Sequence, residues 1–234
     1  MHKLTELGGW ERLLKKIIWK QIGDIKDKYI LDFGSGEGIT ANHFAKDNSV
    51  VAVEPWDEML QNRWADYDYK QIQGDITCLS QFKDNSFDMI ICHNVLEYID
   101  DKANVIQELA RVLKPGGTLS LAKHNRAGRV MQMAVLLDDM DKAHALLDGE
   151  NSAASKFGAI RYYEDDMVSE WAPSLQLTDS YGIRTFWDLQ QKQEKHERED
   201  WQDEMVKLEM RVSQIEEFRN IAFFHHLKFT KEIL

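Results

Sequence analysis

The stretch Leu31-Asp32-Phe33-Gly34-Ser35-Gly36-Glu37-Gly38 decides the fold. It starts within the apolar run 29–33 and leads to a helical stretch at 41–46, so it reads as the turn from a first strand into a first helix. Glycines at alternate positions let the backbone turn tightly and approach a ligand closely. A dinucleotide loop would space them G-x-G-x-x-G. Here they fall at 34, 36 and 38 with Asp32 just ahead, which disfavours a pyrophosphate and with it an NAD-dependent oxidoreductase. The carboxylates of Asp32 and Glu37 suit instead a cationic, nucleotide-like ligand with an amine and a sulfonium. S-adenosylmethionine fits that description.

Outward from the loop, a second apolar run at 49–54 ends in Glu54 before Pro55, which fixes a carboxylate at the carboxyl edge of the sheet, where it can accept both ribose hydroxyls. A short strand at 69–73 is followed by Gly74, Asp75 and Ile76. Asp75 there can accept from an adenine amino group or simply cap a helix. A strand at 87–93 ends in His93 and Asn94, a helix spans 102–113, and Pro115-Gly116-Gly117 introduces a strand at 118–123. Strands alternating with helices on this scale predict an α/β fold with a doubly wound, mostly parallel sheet of seven strands.

The flanks complete one expected domain over 1–234. Residues 3–22 carry Leu4, Leu7, Trp10, Leu14, Ile17 and Ile18 at helical spacing, predicting a cap helix within 1–25 with Arg12, Lys15, Lys16 and Lys20 on its wet side. Beyond the cofactor core at 29–123, residues 124–172 read as a helical insertion, with Met-rich 130–147 as one helix and 164–171 as another. The segment 173–234 predicts a strand at 175–186, a long charged helix at 187–212 and a last strand at 220–230, antiparallel and at an edge.

Composition limits the function. With 43% hydrophobic and 29% charged residues the chain is globular, and no run approaches the ~18 apolar residues of a membrane span. The N-terminal segment, punctuated by charges, does not read as a signal peptide, and the expected location is cytoplasmic. Cys78 and Cys92 form no CxxC pair, so neither a disulfide framework nor a metal site is expected of them, and His225 and His226 would point to opposite faces of a strand. A net charge of −11 argues against general polyanion binding while leaving room for a local basic cleft.

Five stretches together, LDFGSGEG, VVAVEP, Gly74-Asp75-Ile76, FDMIICHNVLEYI at 87–99 and LARVLKPGGTLSL at 109–121, resemble the class I S-adenosylmethionine-dependent methyltransferases with a type 11 methyltransferase domain. Beyond them, HNRAGRVMQM at 124–133, YGIRTFWD at 181–188 and AFFHHLKFT at 222–230 are similar to the bacterial tRNA 5-carboxymethoxyuridine methyltransferases. The resemblance implies S-adenosylmethionine as cofactor, held at Asp32, Gly34, Ser35, Gly36, Gly38, Glu54, Pro55, Asp75, Ile76, His93 and Asn94. It also implies tRNA as partner, methylated on the carboxylate of a modified wobble uridine, with Arg184 meeting that carboxylate. This chain departs from the family's basic segment: residues 138–170 hold nine acidic side chains against three Lys and Arg, and Trp187 stands where the family tends to have His. A small-molecule acceptor is therefore the alternative, and a module that binds the cofactor without turnover a second one. A hydroxyl or amine acceptor would need a base, for which His93 and His124 are the candidates, though each can equally be a packed strand-end residue.

Overall fold

The computed structural model describes residues 1–154 and 157–233. Its centre is a seven-stranded sheet in the order β3-β2-β1-β4-β5-β9-β8. The strands are β1 (Tyr29–Phe33), β2 (Ser49–Glu54), β3 (Lys70–Gln73), β4 (Phe87–His93), β5 (Leu113–His124), β8 (Leu175–Ile183) and β9 (Phe224–Lys231). β1, β2 and β4 are mostly apolar, buried runs, as strands covered on both faces must be. They pair in parallel, with Asp32 opposite Ala52 and Ile91. Strand order reverses at β1, between β2 and β4, so a crevice opens at the carboxyl ends of β1 and β4.

Helices α1 (Gly9–Ile22), α2 (Ile39–Ala45) and α8 (Glu199–Val212) cover one face. Ile17, Ile18 and Phe44 pack there on Ile30, Ala52, Ala122 and Phe224. Helix α4 (Lys102–Val112) and helix α7 (Met167–Trp171) cover the other, over Leu31, Ile90, Leu121, Leu227 and Phe229. Asp101 caps α4 by accepting from the Asn104 N–H at 3.0 Å, and Val105, Ile106, Leu109 and Val112 form its inward stripe. Short helix α3 (Asp57–Gln61) follows β2.

Several expectations are corrected. The antiparallel strand is not an edge: β9 inserts between β5 and β8, and β8 is the outermost strand. Residues 130–147 do not form one helix. Helix α5 (Arg126–Met131) passes into a π-helical turn at Gln132–Leu136, and a left-handed Asp138 separates it from α6 (Met140–Leu147). The insertion also carries a hairpin, β6 (Ser152–Ala154) with β7 (Gly158–Ile160). The charged helix starts only at Glu199, after 3₁₀ turns at Trp187–Leu189 and Gln193–Lys195, because Arg184 at φ 63° ends β8 and turns the chain. The expected wet side of α1 is largely covered. Arg12 is buried against Glu197 at 2.7 Å, and Lys16 pairs with Asp203 at 2.8 Å. Short helix α9 (Glu216–Arg219) leads into β9.

Gly128 fixes how α5 sits, since a Cβ there would lie 2.2 Å from the Ala222 carbonyl oxygen. Helix propensity alone makes Gly→Ala stabilising by up to about 1 kcal/mol. Overpacking against backbone costs about 1–3 kcal/mol and should win. Gly128→Ala is expected to lower the denaturation midpoint; a raised midpoint would show that α5 is free to shift.

Candidate active site

Gly34, Gly36 and Gly38 all adopt left-handed φ, at 75°, 56° and 69°. Two of the three also face crowded space: a Cβ on Gly34 would meet Val95 Cγ2 at 2.3 Å, and one on Gly38 the Tyr69 hydroxyl at 2.2 Å. Nothing lies within 4 Å of a Cβ on Gly36, which borders open space at the crevice. The loop closes over β2 through the Gly34 and Ser35 N–H groups, both donating to the Val53 carbonyl.

Two buried carboxylates lie beneath it. Glu54, 5% exposed, accepts from the Gly36 N–H at 2.8 Å with one oxygen and from the Trp56 N–H at 3.0 Å with the other. Asp32, 3% exposed, leaves Oδ2 without a partner. Burial pushes its carboxyl up to about 7, against the pull of Lys15 and the Ala41 N–H, with Glu54 adding to the rise. Lys15 comes from α1, donates to Thr40 Oγ1 at 2.9 Å, and is itself lowered by burial. Ser35 Oγ and Asn94 Oδ1 are likewise buried without partners. Unsatisfied acceptors around a bare glycine are what a ligand carrying an ammonium and hydroxyls would complete, so the residues present fit S-adenosylmethionine.

The remaining predicted cofactor residues divide. Pro55 leads into the exposed Trp56, whose ring meets Phe157 of the insertion edge to face at 6.1 Å. Asp75 caps the 3₁₀ turn Ile76–Gln81, accepting from the Thr77 N–H at 2.9 Å and hydroxyl at 2.7 Å, and the Thr77 bonds hold its carboxyl below the usual range. Ile76 packs against the main core. His93 sits in a chain: its Nε2 meets Ser120 Oγ at 2.9 Å, Ser120 Oγ meets His226 Nε2 at 2.8 Å, and His226 Nδ1 meets Gln21 Oε1 at 2.8 Å. Gln21 Oε1 can only accept, so His226 Nδ1 donates to it, Ser120 donates to His226, and His93 Nε2 donates to Ser120. His93 is thereby left with Nδ1 as its acceptor nitrogen, and burial lowers it well below the ordinary histidine value. His225 points the other way, to Asp165 at 2.8 Å, as the pleat requires.

The predicted acceptor residues meet at the same sheet edge, beyond β5. Arg184 is 6% exposed and does not present an open fork. Its Nε donates to Asp188 Oδ2 at 2.9 Å and its Nη2 to Oδ1, and its guanidinium lies over Phe223 at 4.7 Å and Phe224 at 5.2 Å. Trp187 is buried, stacked on His196 at 3.8 Å. His124 packs on Phe224, and burial, reinforced by Arg184 and Arg129, pushes it down to about 3. Sequence reading missed four contributors here: Lys15, Trp56, Arg129 and Glu97. Glu97 is fully buried and accepts from the His124 N–H at 2.6 Å. The Arg184 to Asp188 pairing had a signal, since the two stand four residues apart.

Removing one member of a buried ion pair leaves an uncompensated charge worth about 3–5 kcal/mol. Asp188→Asn should lose that much by chemical denaturation, and the double variant Arg184→Met, Asp188→Leu distinctly less. Equal losses would mean that packing, not charge, governs this corner.

Residues 31–121 match the methyltransferase domain family model. The chain is 26% identical over 233 residues to the tRNA 5-carboxymethoxyuridine methyltransferase of Escherichia coli (strain K12), covering 92% of this chain and 87% of that one. It is 30% identical over 125 residues to the ubiquinone biosynthesis O-methyltransferase of Serratia proteamaculans, covering 51% and 52%. Among solved structures, an S-adenosylmethionine-dependent methyltransferase from Mesorhizobium loti superposes with a TM-score of 0.58 at 13% identity, over 98% of this chain and all of that one. One from Methanosarcina mazei gives 0.57 at 18%, over 92% and 97%. These last two share the fold. With the domain match lying on the glycine loop, its two carboxylates and the strands that carry them, the chain is an S-adenosylmethionine-dependent methyltransferase with a type 11 methyltransferase domain.

Proposed function

We propose that this methyltransferase esterifies a carboxylate, that of the 5-carboxymethoxy group on a wobble uridine of tRNA. The observation that carries the carboxylate is basicity. The two histidines at the acceptor edge are both poor proton acceptors: His124 is pushed down to about 3, and His93 is lowered well below the ordinary value by burial. A hydroxyl or amine acceptor would have to lose a proton to such groups. A carboxylate is already ionised and asks only to be aligned, and positioning of that kind supplies about 7–11 kcal/mol. The tRNA acceptor is supported by the Escherichia coli relative, whose similarity runs through the core, the insertion and the C-terminal strands.

In this reading Asp32 takes the cofactor's ammonium and Glu54 the ribose hydroxyls, while Gly34, Ser35, Gly36 and Gly38 form the cradle. Pro55, Asp75, Ile76, His93 and Asn94 border the adenosine and the methyl. When bound, S-adenosylmethionine supplies a methyl group on a sulfonium, an electrophile needing no further activation. A small-molecule carboxylate is the second reading, favoured by the net charge of −11.

The test is transfer of labelled methyl to bulk tRNA from cells lacking the gene, with a small-molecule extract in parallel. Label in tRNA that mild alkali releases is the expected outcome. Label confined to the extract would overturn the tRNA assignment, and alkali-stable label the carboxylate.

Asp32 supplies a second test. Its folded value of about 7 lies above the ordinary 3.8, so the folded protein without ligand keeps the proton through that window, and stability falls as pH rises from about 4 to about 7. Binding an ammonium requires the ionised form, so cofactor affinity should rise with pH up to about 7 and then level. Asp32→Asn should weaken binding and flatten the profile; a wild-type affinity independent of pH between 5.5 and 8 would remove Asp32 from the ammonium site.

A further inference from the structure

Of the two guanidiniums at the edge beyond β5, only one has a carboxylate partner among the described residues. Arg184 is paired with Asp188, and Glu209 is taken up by the N–H groups of Thr185 and Phe186, each at 2.9 Å. Arg129 has no such partner among the described residues. Its Nη1 donates to the neutral Gln132 Oε1, and its Nε is buried with nothing bonded to it. Gln132 Nε2 in turn donates to Asp188 Oδ1 at 3.0 Å, so Arg129, Gln132, Asp188 and Arg184 form one chain. Both guanidiniums flank the same ring, with Arg129 5.8 Å and Arg184 4.7 Å from the centre of Phe223. His124 beside them is pushed down to about 3 by burial, and both guanidiniums add to the fall.

The position of Arg129 is built. Asn125 caps α5, Gly128 seats the helix on Ala222, and the π-helical turn starting at Gln132 aims that amide back at Arg129 and across to Asp188. Single π turns inside helices recur at functional sites. Helix α1 ties this corner to the cofactor loop. Trp10, half-exposed, lies 5.7 Å from the Arg184 guanidinium, and Lys15, five residues on and about 7.5 Å along the axis, faces Thr40 and Asp32.

We propose that Arg129, held through Gln132 and Asp188 by Arg184, is the residue that binds the anionic group of the methyl acceptor and sets the preference for a carboxylate. This rests on the carboxylate reading above and changes the residue assigned to it: Arg184 is the support and Arg129 the contact. A planar carboxylate matches the unused Nε edge of the guanidinium through two parallel hydrogen bonds, and removal of its charge by methylation weakens the product's hold.

The test compares binding of 5-carboxymethoxyuridine and of its methyl ester to protein saturated with S-adenosylhomocysteine. Wild type should bind the acid at least about tenfold more tightly than the ester. Arg129→Gln should lose that ratio while keeping its melting temperature and its affinity for S-adenosylhomocysteine, and Arg129→Lys, with charge but no fork, should fall between. An Arg129→Gln protein that keeps the ratio overturns the assignment and leaves the carboxylate reading standing. A wild type that binds acid and ester equally, or neither, overturns both. If Arg129→Gln does not fold, a ratio in Arg129→Lys equal to wild type overturns the assignment.

Discussion

Two carboxylates buried beneath one loop are the constraint on which the rest of this structure depends. Asp32 and Glu54 come from adjacent, hydrogen-bonded strands, and each is almost wholly removed from water. An ion in that position must find donors or give up its charge. Glu54 finds them in the Gly36 and Trp56 amides, and the Gly36 amide reaches it because residue 36 is left-handed. The glycine is therefore demanded from below, by the carboxylate, as well as from above, by the need for open space. Asp32 takes the other course and keeps its proton near neutrality, which makes it a site that a cation completes.

Lys15 carries this constraint outward. A lysine amine drawn toward Asp32 brings α1 down over the crevice, and α1 then reaches α8 through Lys16 and Asp203, and Arg184 through Trp10. The N-terminal helix thus connects the two halves of the site. Its basic side chains were expected in water because their partners lie up to 187 residues away, and helical periodicity records only which residues avoid solvent.

The same distinction separates what was legible from what was not. The strands β1, β2 and β4, the loop at 34–38 and the helix α4 are set by neighbours within a few residues, and the sequence reading located all of them. The interior placement of β9 depends on pairing between Thr118–His124 and Phe224–Thr230, which no local pattern encodes. Residues 187–198 have the composition of a helix, yet the left-handed turn at Arg184 and the stacking of Trp187 on His196 take that segment out of helical geometry. Arg184 was singled out in the sequence through the resemblance, as the arginine that meets the carboxylate. That its charge is spent on Asp188, and that Arg129 stands beside it with charge to spare, follows only from the fold.

Net charge is the remaining apparent conflict, and it resolves by distance. Glu199, Asp200, Asp203 and Glu204 lie exposed along α8, where Asp200 pairs with Arg198, Asp203 with Lys16 and Glu204 with Lys207. At physiological ionic strength a surface charge is screened beyond about 8 Å. Charges of this kind govern how fast an anionic partner arrives more than how firmly it is held once seated. Groups withdrawn from that screening act at closer range: the carboxyls of Asp32 and Glu54 lie buried under the glycine loop, and Arg129 stands without a carboxylate partner beside the Arg184–Asp188 pair. A cationic sulfonium nucleotide and an anionic acceptor would each meet groups of the kind they require, about one and a half turns of α1 apart, on a protein whose overall charge predicts neither.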